Sequence, residues 1–523
     1  MFHIRTGITA SGATAVQVIR YLYRKRIIVK HIGSAHTKED LVSLKKIANQ
    51  WIEQETAQQA LFPPEKERTS LPLVSIDKLR NLGFRYAFAY EILTKLLRMF
   101  RLPDKKYRLL LDLVLIRIIQ PASKLESFTL LSELFDIHHD RNDFYRSLPA
   151  IVGTKPVIEK SVIALASTHF SFDFQIVFYD VTTLYFESFT EDEDKLDSYG
   201  NVIEKGFRKD GFSKDLKFNQ PQIVIGLIVN KDGFPISYEI FEGNTFEGDT
   251  FIPVVTGFKK KHAINSLTVV ADAAMISFDN IEKLKENSLS YIVGGRIANL
   301  KRSEIKEISK ALIGQISPED ELKKKDNIST RIETERGILV CDFSFKRYQK
   351  DKREMEKQIA KAKLQLEKKM PVKRIKFLKN KDKKKTDQIL NIDLIEKTKM
   401  LLGIKGYYTN LSGTDNKTVI DQYHNLWQVE KAFRIVKSDL QARPIYHFKK
   451  QTIEAHILIC FMSLAACKYM DLKTKKSTKV IIKLLKQITD ARILNTLTNE
   501  EIILRSEIST ETEEILKMLS LSH

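Results

Sequence analysis

The chain has 523 residues, of which 43% are hydrophobic, a composition that predicts a globular protein of two to four domains and excludes a disordered chain. Its net charge of +20 favours a polyanionic partner such as nucleic acid, although an ordinary basic surface has the same composition. Only three cysteines are present, none in a CxxC pair, and neither a signal peptide nor an apolar run long enough to span a bilayer is apparent, so we expect a cytoplasmic protein with free thiols.

Residues 1–83 are predicted to form an N-terminal module made of a β-ribbon and a helix. Apolar and basic positions alternate around a turn in residues 14–34, which predicts a two-stranded ribbon. Four of its basic side chains are expected to be exposed: Arg20, Arg24, Lys25 and Arg26. The ribbon either contacts DNA or is an edge hairpin whose charges discourage aggregation. A helix follows from residue 38 to about residue 56, and a Pro-containing linker at residues 62–72 ends the module.

Residues 84–168 are predicted to form a helical bundle. Apolar residues recur there at three- and four-residue spacing, for example Leu109, Leu110, Leu113, Val114 and Ile118. Pro121 is expected to end that helix. The basic residues of this region, such as Arg98, Arg101 and Arg117, are compatible with a DNA-reading helix-turn-helix or with a basic helical spacer.

In residues 169–300 the apolar period changes to that of β-strands. Five segments are strand-like: 172–186, 220–229, 235–243, 266–275 and 289–297. Asp232 and Gly233 are expected to form the turn between the second and third strands, and helices are expected at 251–261 and 279–287. Three meandering strands followed by two helix–strand pairs are typical of an RNase H-like α/β domain. The predicted fold class is therefore α/β, with a mixed sheet flanked by helices, interrupted by a basic insertion and preceded by a helical N-terminal region.

Residues 301–401 are predicted to be that insertion. From residue 346 to residue 385 there are 18 Lys plus Arg against 5 Asp plus Glu. The pattern is largely helical with a thin apolar stripe, formed by Tyr348, Ile359 and Leu366. It is either a helical arm on a phosphate backbone or a solvated charged helix pair.

Residues 402–470 are predicted to complete the α/β domain, with a returning strand near residues 403–412 and a helix around Glu430. This helix has an apolar stripe and a neighbouring polar one at the same helical spacing. A second, buried helix follows, and residues 471–523 are predicted to be a helical region of mixed charge that is a candidate dimerisation element.

Three carboxylates from separate segments are candidates for one metal site. Asp180 and Asp272 are placed where apolar strands run out, and Glu430 lies on the amphipathic helix. Oxygen-only ligands indicate Mg²⁺ or Mn²⁺. Carboxylates about 4 Å apart repel by roughly 4 kcal/mol per pair at an effective dielectric near 20, so such a site needs cations. In a basic chain this pattern predicts phosphodiester chemistry. Two nearby acids are interpreted as helix-start residues instead, with Asp249 as an N-cap and Asp279 in a first turn.

The segment around Glu430 resembles the insertion-sequence DDE transposases, in particular the branch with a Y-x2-R-x3-E-x6-K signature. Tyr423, Glu430 and Lys437 occupy three of the four signature positions. The Arg position holds Leu426, and Arg434 is a candidate replacement one helical turn or more away. The resemblance covers roughly residues 170–460, including the basic insertion between the second and third acids.

This resemblance implies a metal-dependent DNA transposase that binds the terminal inverted repeats of its mobile element, cleaves the ends and joins them to target DNA, working as a homodimer. It implies two Mg²⁺ or Mn²⁺ ions, held by Asp180, Asp272 and Glu430. It also implies DNA contacts from one helix face: Tyr423, Trp427, Arg434 and Lys437. Plain packing is the alternative role for the two aromatic residues. Two other functions stay open, an RNase H-like nuclease without strand transfer and a catalytically idle DNA-binding derivative.

Overall fold

A computed structural model of the chain describes residues 2–58, 76–275, 277–314, 322–323, 328–334, 337–367, 375–380 and 388–521. The linker predicted at residues 62–72 and part of the basic stretch at 346–385 lie outside these ranges. The chain divides into two compact units. Unit 1 comprises Met1–Leu96, Phe128–His139 and Lys479–His523, and unit 2 comprises Leu97–Ser127 and Asp140–Thr478.

Unit 1 begins with an antiparallel sheet in the order β1 (Phe2–Ile8), β2 (Thr14–Leu22) and β3 (Lys25–Ala35). The ribbon predicted for residues 14–34 is therefore present as β2 and β3, joined by a third strand. Helix α1 (Lys38–Gln58) covers the sheet. Its buried core is small: Val16, Val18, Ile32, Ala35, Leu44 and Ala48.

A second sheet in unit 1 corrects the prediction for the C-terminal region. Residues 471–523 were expected to be helical, but β17 (Asp490–Asn495) and β18 (Glu500–Arg505) form a hairpin, and β17 pairs with β4 (Leu79–Arg85). Only α15 (Thr478–Gln487) and α16 (Thr510–Met518) are helical after Thr474 in the described residues. Pairing with a strand about 400 residues earlier decides the conformation of this Ile-rich segment, and a local pattern does not contain that information. Unit 1 also holds most of α2 (Ala87–Leu97) and α4 (Lys124–Phe135).

The helical part of unit 2 consists of α3 (Asp104–Ile119), α5 (Arg141–Gly153), α6 (Lys155–Phe170) and α14 (Lys450–Thr474). The helix predicted to end before Pro121 is α3. Arg117 on α3 is buried and donates hydrogen bonds to the carbonyls of Leu440 and Gln441, so it is not the exposed DNA-reading residue that the sequence allowed. Helix α14 is long and apolar enough to cross a membrane, but 94% of its most apolar window is buried inside the protein, as in a core helix.

The centre of unit 2 is an eight-stranded mixed sheet in the order β12-β13-β16-β11-β10-β5-β8-β9. Its strands are β5 (Ile176–Tyr185), β8 (Gln222–Val229), β9 (Pro235–Glu242), β10 (Thr268–Ala271), β11 (Ser290–Gly295), β12 (Ser329–Thr334), β13 (Gly337–Phe343) and β16 (Ile404–Thr409). Strand β10 is parallel to β5 and β11, and the other pairs are antiparallel. The meander β5–β8–β9, followed by α7 (Glu247–Lys261), β10, α8 (Phe278–Glu286) and β11, is the predicted order.

Two local predictions in this region have different outcomes. The turn at Asp232 and Gly233 is confirmed, since Gly233 has φ +74° and the Asn230 N–H donates to the Phe234 carbonyl. Asp249 is not the N-cap of α7. Phe246 holds that position, and Asp249 lies in the first turn, where a carboxylate still faces the positive end of the helix.

The basic insertion is more integrated than the sequence indicated. Its strands β12 and β13 join the large sheet, with β13 paired to the returning strand β16. The remaining elements are α9 (Arg302–Leu312), α10 (Phe345–Glu367), β14 (Leu378–Asn380), β15 (Gln388–Leu390) and α11 (Ile392–Lys399). Tyr348 and Ile359 of α10 pack against a core of Met355, Phe377, Ile395 and Leu402. Between β5 and β8, a short hairpin is formed by β6 (Lys195–Leu196) and β7 (Val202–Glu204).

Candidate catalytic site

The first two candidate carboxylates lie side by side on adjacent strands. Asp180 is in the middle of β5, not at its end as predicted. Strand β10 pairs with β5 only as far as Ala271 opposite Tyr179, so Asp272 and Asp180 are the next residues along the two parallel strands. Beyond this point β5 keeps only its other neighbour, with Asp180 opposite Leu227 of β8. The two aspartates are therefore neighbours at the point where β5 and β10 stop pairing.

The third carboxylate comes from a helix that packs on the same part of the sheet. Helix α12 (Asn416–His424) is followed by α13 (Trp427–Arg434), which contacts β5 and β8 and continues as a wider turn to Asp439. The predicted apolar stripe is the packed face, since Leu426, Val429 and Phe433 are buried. Glu430 is exposed in the first turn of α13.

All three carboxylates line one open cleft of about 430 Å³. Cationic side chains line it as well: Lys214, Arg434, Lys437 and Arg443. Among the residues that the structure describes, no group of three or more Asp, Glu, His or Cys side chains is close enough to hold a metal ion. Folding thus brings the predicted acids into one cleft but does not gather them around one point.

Asp180 is the most strongly perturbed of the three acids. Burial raises its pKa to about 6, opposed by the nearby Lys214 ammonium and the Val181 N–H, while Asp272 and Glu247 raise the pKa further. The Val181 N–H donates to Asp180 Oδ1 at 2.7 Å. The Lys214 Nζ is fixed by the Val181 carbonyl at 2.7 Å and by Glu247 at 2.9 Å. Lys214 is therefore a fixed cation beside a carboxylate that is costly to ionise.

Tyr423 reaches the site from α12. Its ring is buried against Tyr407, and its hydroxyl donates to Asp272 Oδ1 at 3.1 Å. The absence of a side chain at Gly294 of β11 makes room for this hydroxyl, because a Cβ there would lie 2.5 Å from it. The Lys405 ammonium lies over the Tyr423 ring, 4.5 Å from its centroid. The resemblance implies that the Tyr423 hydroxyl binds a phosphate, but in this structure it donates a hydrogen bond to the Asp272 carboxylate.

The other residues of the signature are distributed around the cleft. Lys437 forms an ion pair with Asp215 at 3.4 Å, and Arg443 pairs with the same carboxylate. Leu426, at the signature's Arg position, is buried and lines the cleft. The guanidinium groups in the cleft come instead from Arg434 and Arg443.

Trp427 lies at the start of the Glu430 helix and is 51% exposed. The Lys431 ammonium is 5.9 Å from the centroid of its ring. An exposed indole this close to Glu430 is available to stack on a base, as the resemblance implies.

Lys214, Asp215 and Arg443 were not identified from the sequence. Lys214 and Asp215 lie in an irregular segment between β7 and β8, and Arg443 follows the Glu430 helix in a loop. Neither segment has an apolar period. The one available signal is the local clustering of Lys209, Lys214 and Lys217 between two strands.

Comparison with known proteins gives a family for this region. A family model described as "Transposase DDE domain" matches residues 172–465, which is more than half of the chain. That range contains all three candidate carboxylates, the cleft and the insertion. No match was found among curated proteins.

Among solved structures, the chain is similar to a piggyBac transposase synaptic complex with hairpin DNA, with a TM-score of 0.38, 11% identity and 76% of each chain covered. It is also similar to a Mos1 transposase paired-end complex with the left transposon end, with a TM-score of 0.16 and 14% identity over 47% of this chain and 66% of that one. A pre-cleavage Mos1 transpososome gives a TM-score of 0.15 with the same identity and coverage. All three TM-scores are below 0.5, so none establishes a shared overall fold.

Proposed function

Because this chain belongs to the DDE transposase family, we propose that Asp180, Asp272 and Glu430 are its catalytic carboxylates and that its substrates are the terminal inverted repeats of a mobile element. The protein is a DNA transposase, which binds DNA, cleaves it and transfers strands. The observation that supports the residue assignment is that three acids from three separate segments line one cleft within the family-matched range.

The donor set of the cleft fits divalent cations by its chemistry. All three candidate ligands are carboxylates, the hard oxygen donors that Mg²⁺ and Mn²⁺ prefer. Members of this family generally use divalent metal ions. We propose that two such ions are held by Asp180, Asp272 and Glu430 after the side chains move closer together. When bound, the ions supply activation of the attacking oxygen and stabilisation of the leaving oxygen.

The protein's own residues have distinct parts in this proposal. The Tyr423 hydroxyl fixes one oxygen of Asp272 and so orients that carboxylate. Lys214 offsets the charge of Asp180 while no cation is bound. Arg434, Lys437 and Arg443 place three cationic groups along the cleft, where they bind the phosphates of a DNA strand, and Trp427 stacks on a base next to it.

Pairing two transposon ends calls for two active sites, and we propose a homodimer in the DNA complex for this reason. Target DNA then occupies the same cleft during joining. The three cysteines are free and buried in the structure, which supports our assignment to the reducing cytoplasm.

The residue assignment is tested with Asp180→Asn in the full-length protein and duplex DNA that carries the element's ends, in Mn²⁺. We expect cleavage to fall on the order of 10³-fold, because losing one carboxylate removes several kcal/mol of charge stabilisation. End binding should stay within about twofold of wild type. Asp279→Asn is the matched control, since Asp279 is an exposed acid in the first turn of α8 and pairs with Lys283.

Two outcomes would change the conclusion. Cleavage at the wild-type rate by Asp180→Asn would show that the carboxylates are assigned wrongly. Cleavage by the wild-type protein without any joined product, in the presence of target DNA, would indicate a nuclease that does not transfer strands.

A further inference from the structure

The β2–β3 hairpin of unit 1 extends beyond the strand and helix that cover its base. In the described residues, β1 pairs with β2 as far as Phe2 opposite Arg20, and the His3 ring of β1 still contacts Tyr21, so only residues 22–26 have no contact of this kind from β1. The core under α1 ends near Trp51, whose ring contacts Phe2 and lies under the Lys30 ammonium. Every residue from Arg20 to Val29 is exposed. We call residues Tyr21–Val29 the hairpin tip.

The composition of this tip is unusual for an exposed surface. It carries large apolar and aromatic side chains, namely Tyr21, Leu22, Tyr23, Ile27, Ile28 and Val29. With Arg20 it also carries four cations, and residues 14–34 contain no acidic residue. Among the residues that the structure describes, Arg20, Arg24, Lys25 and Arg26 form no salt bridge. An uncovered ribbon is marginally stable by itself, so this surface is suited to a bound partner.

The turn at the end of the tip is a second, independent observation. Tyr23 and Arg24 form a two-residue turn, and both have positive φ, +47° and +63°. Turns of this kind strongly favour Asn-Gly, because side chains with a Cβ are strained there. Tyr23, which is 93% exposed, and the unpaired Arg24 therefore occupy turn positions whose positive φ angles disfavour both residue types. Backbone strain of this sort is concentrated at functional positions.

We propose that the hairpin tip binds duplex DNA, as a DNA contact in unit 1 additional to the catalytic cleft of unit 2. The charge selects a polyanion, and a two-stranded ribbon fits the width of the major groove. The pairing of Arg20 with Ile27 and of Leu22 with Lys25 puts cations and apolar groups on one face, so phosphates and base edges are contacted together. This inference rests on the protein acting on DNA and not on the assignment of its catalytic carboxylates.

The test uses the full-length protein and a fluorescein-labelled random 40-base-pair duplex, about four helical turns, in EDTA so that no cleavage occurs. Anisotropy titrations over a KCl series give the affinity and its salt dependence. For Arg24→Gln/Lys25→Gln we expect about tenfold weaker binding and a slope of log K against log [KCl] that is less steep by about 1.8, because each lost phosphate contact contributes about 0.9. Lys45→Gln/Lys46→Gln, two exposed cations on α1, changes the net charge equally and should leave the slope unchanged.

A second variant separates binding from folding. Tyr23→Asn/Arg24→Gly installs the favoured turn, so the hairpin is expected to be at least as stable as in the wild type while DNA binding falls several-fold. A merely structural hairpin would keep wild-type binding in this variant.

Wild-type affinity and slope in both hairpin variants would overturn the proposal. If those variants bind DNA normally but change the sedimentation coefficient of the free protein, the tip contacts a second copy of the chain instead. Neither result depends on whether Asp180→Asn abolishes cleavage, so failure of this inference and failure of the proposed catalytic site are distinguishable.

Discussion

At the scale of single residues, the site is organised by side chains that contact or lie beside the carboxylates, such as Tyr423 at Asp272 and Lys214 near Asp180. Tyr423 comes from a helix, Gly294 from a strand and Asp272 from the end of another strand, and the three meet at one hydroxyl group. The roles of Tyr423 and Gly294 are therefore separable by substitution.

Tyr423→Phe removes the hydroxyl and keeps the ring packed on Tyr407. A hydrogen bond to a charged group contributes about 1.5–3 kcal/mol, so cleavage at saturating DNA should fall by about tenfold or more. The melting temperature and the DNA affinity should stay close to wild type. Tyr446→Phe, at an exposed tyrosine, is the control. If only the affinity for DNA falls, Tyr423 contacts a phosphate and does not orient Asp272.

Gly294→Ala places a methyl group 2.5 Å from the Tyr423 hydroxyl and 3.0 Å from Ala273. Overpacking of this kind typically costs about 1–3 kcal/mol, and we expect that loss in urea unfolding together with reduced cleavage. Gly257→Ala is the matched control, because a Cβ at this exposed position in α7 meets nothing within 4 Å. That substitution should instead add about 0.5–1 kcal/mol. Equal effects of the two changes would contradict the close approach at Gly294.

Lys468 on α14 is a buried cation, and its effect on stability depends on pH. Burial lowers its pKa to about 8, with Lys431 and Lys475 lowering it further and Asp471 and Asp232 opposing them. Folding thus favours the neutral amine over the ammonium. The contribution of Lys468 to the free energy of unfolding is therefore lowest below pH 8 and rises between pH 8 and pH 10.5.

Lys468→Met should therefore stabilise the protein by up to about 3 kcal/mol at pH 7, at about 1.4 kcal/mol per factor of ten in proton affinity. The gain should shrink to about 1 kcal/mol or less at pH 10. Urea unfolding at the two pH values measures it, with Lys449→Met at an exposed position as the control. A gain that is the same at both pH values would show that packing, not charge, is responsible.

At the scale of secondary-structure elements, the hairpin β8–β9 forms one edge of the large sheet, and its strand β8 pairs with the strand that carries Asp180. Its turn depends on Asn230, a buried residue whose Oδ1 accepts hydrogen bonds from the N–H groups of Asp232 (3.0 Å) and Phe234 (2.8 Å). The Asn230 side chain therefore accepts hydrogen bonds from turn N–H groups, as a backbone carbonyl does in other turns.

Asn230→Ala leaves these N–H groups without the amide acceptor and should destabilise the protein by about 1–3 kcal/mol. Lys231→Ala changes an exposed residue of the same turn and should stay within about 0.5 kcal/mol of wild type. Urea unfolding of both variants is the measurement. A loss in Lys231→Ala as large as in Asn230→Ala would show that the turn does not depend on the amide.

The elements that were predicted correctly from the sequence share a clear local signal. Strands β5, β8, β9, β10 and β11 are apolar runs bounded by polar breaks, and each of their residues is buried or partly buried. Strands β17, β18, β12 and β13 were missed because their conformation depends on pairing with distant segments. Their local sequences have no period that separates strand from helix.

The same distinction applies to the candidate site. Asp180, Asp272 and Glu430 could be named as candidates because each follows or lies in an element with strong periodicity. Lys214, Asp215 and Arg443 lie in loops, and only the fold brings Lys214 to the Val181 carbonyl and Arg443 to Asp215. The partner of Tyr423 was likewise not predictable, because it depends on the space left by Gly294.

At the scale of the whole molecule, the two units can be observed separately. The chain has two tryptophans, with Trp51 in unit 1 and Trp427 in unit 2. Trp427 also lies less than one helical turn from Glu430. Trp51→Phe therefore leaves a fluorescent probe of the unit that holds the cleft, and Trp427→Phe leaves a probe of the other unit.

This pair of variants tests the proposed ion binding without measuring cleavage. An ion that binds only the folded state adds about 2.7 kcal/mol at one hundred times its dissociation constant, which corresponds to a rise in melting temperature of about 5 °C. In Mn²⁺ we expect this rise in the Trp427 signal of Trp51→Phe and no comparable rise in the Trp51 signal of Trp427→Phe. Adding Asp180→Asn and Glu430→Gln to Trp51→Phe should abolish the rise, whereas adding Asp279→Asn should not. A rise that persists without the two carboxylates would mean that Mn²⁺ binds elsewhere, because the lost oxygen donors are the ones that the cleft offers to a hard cation.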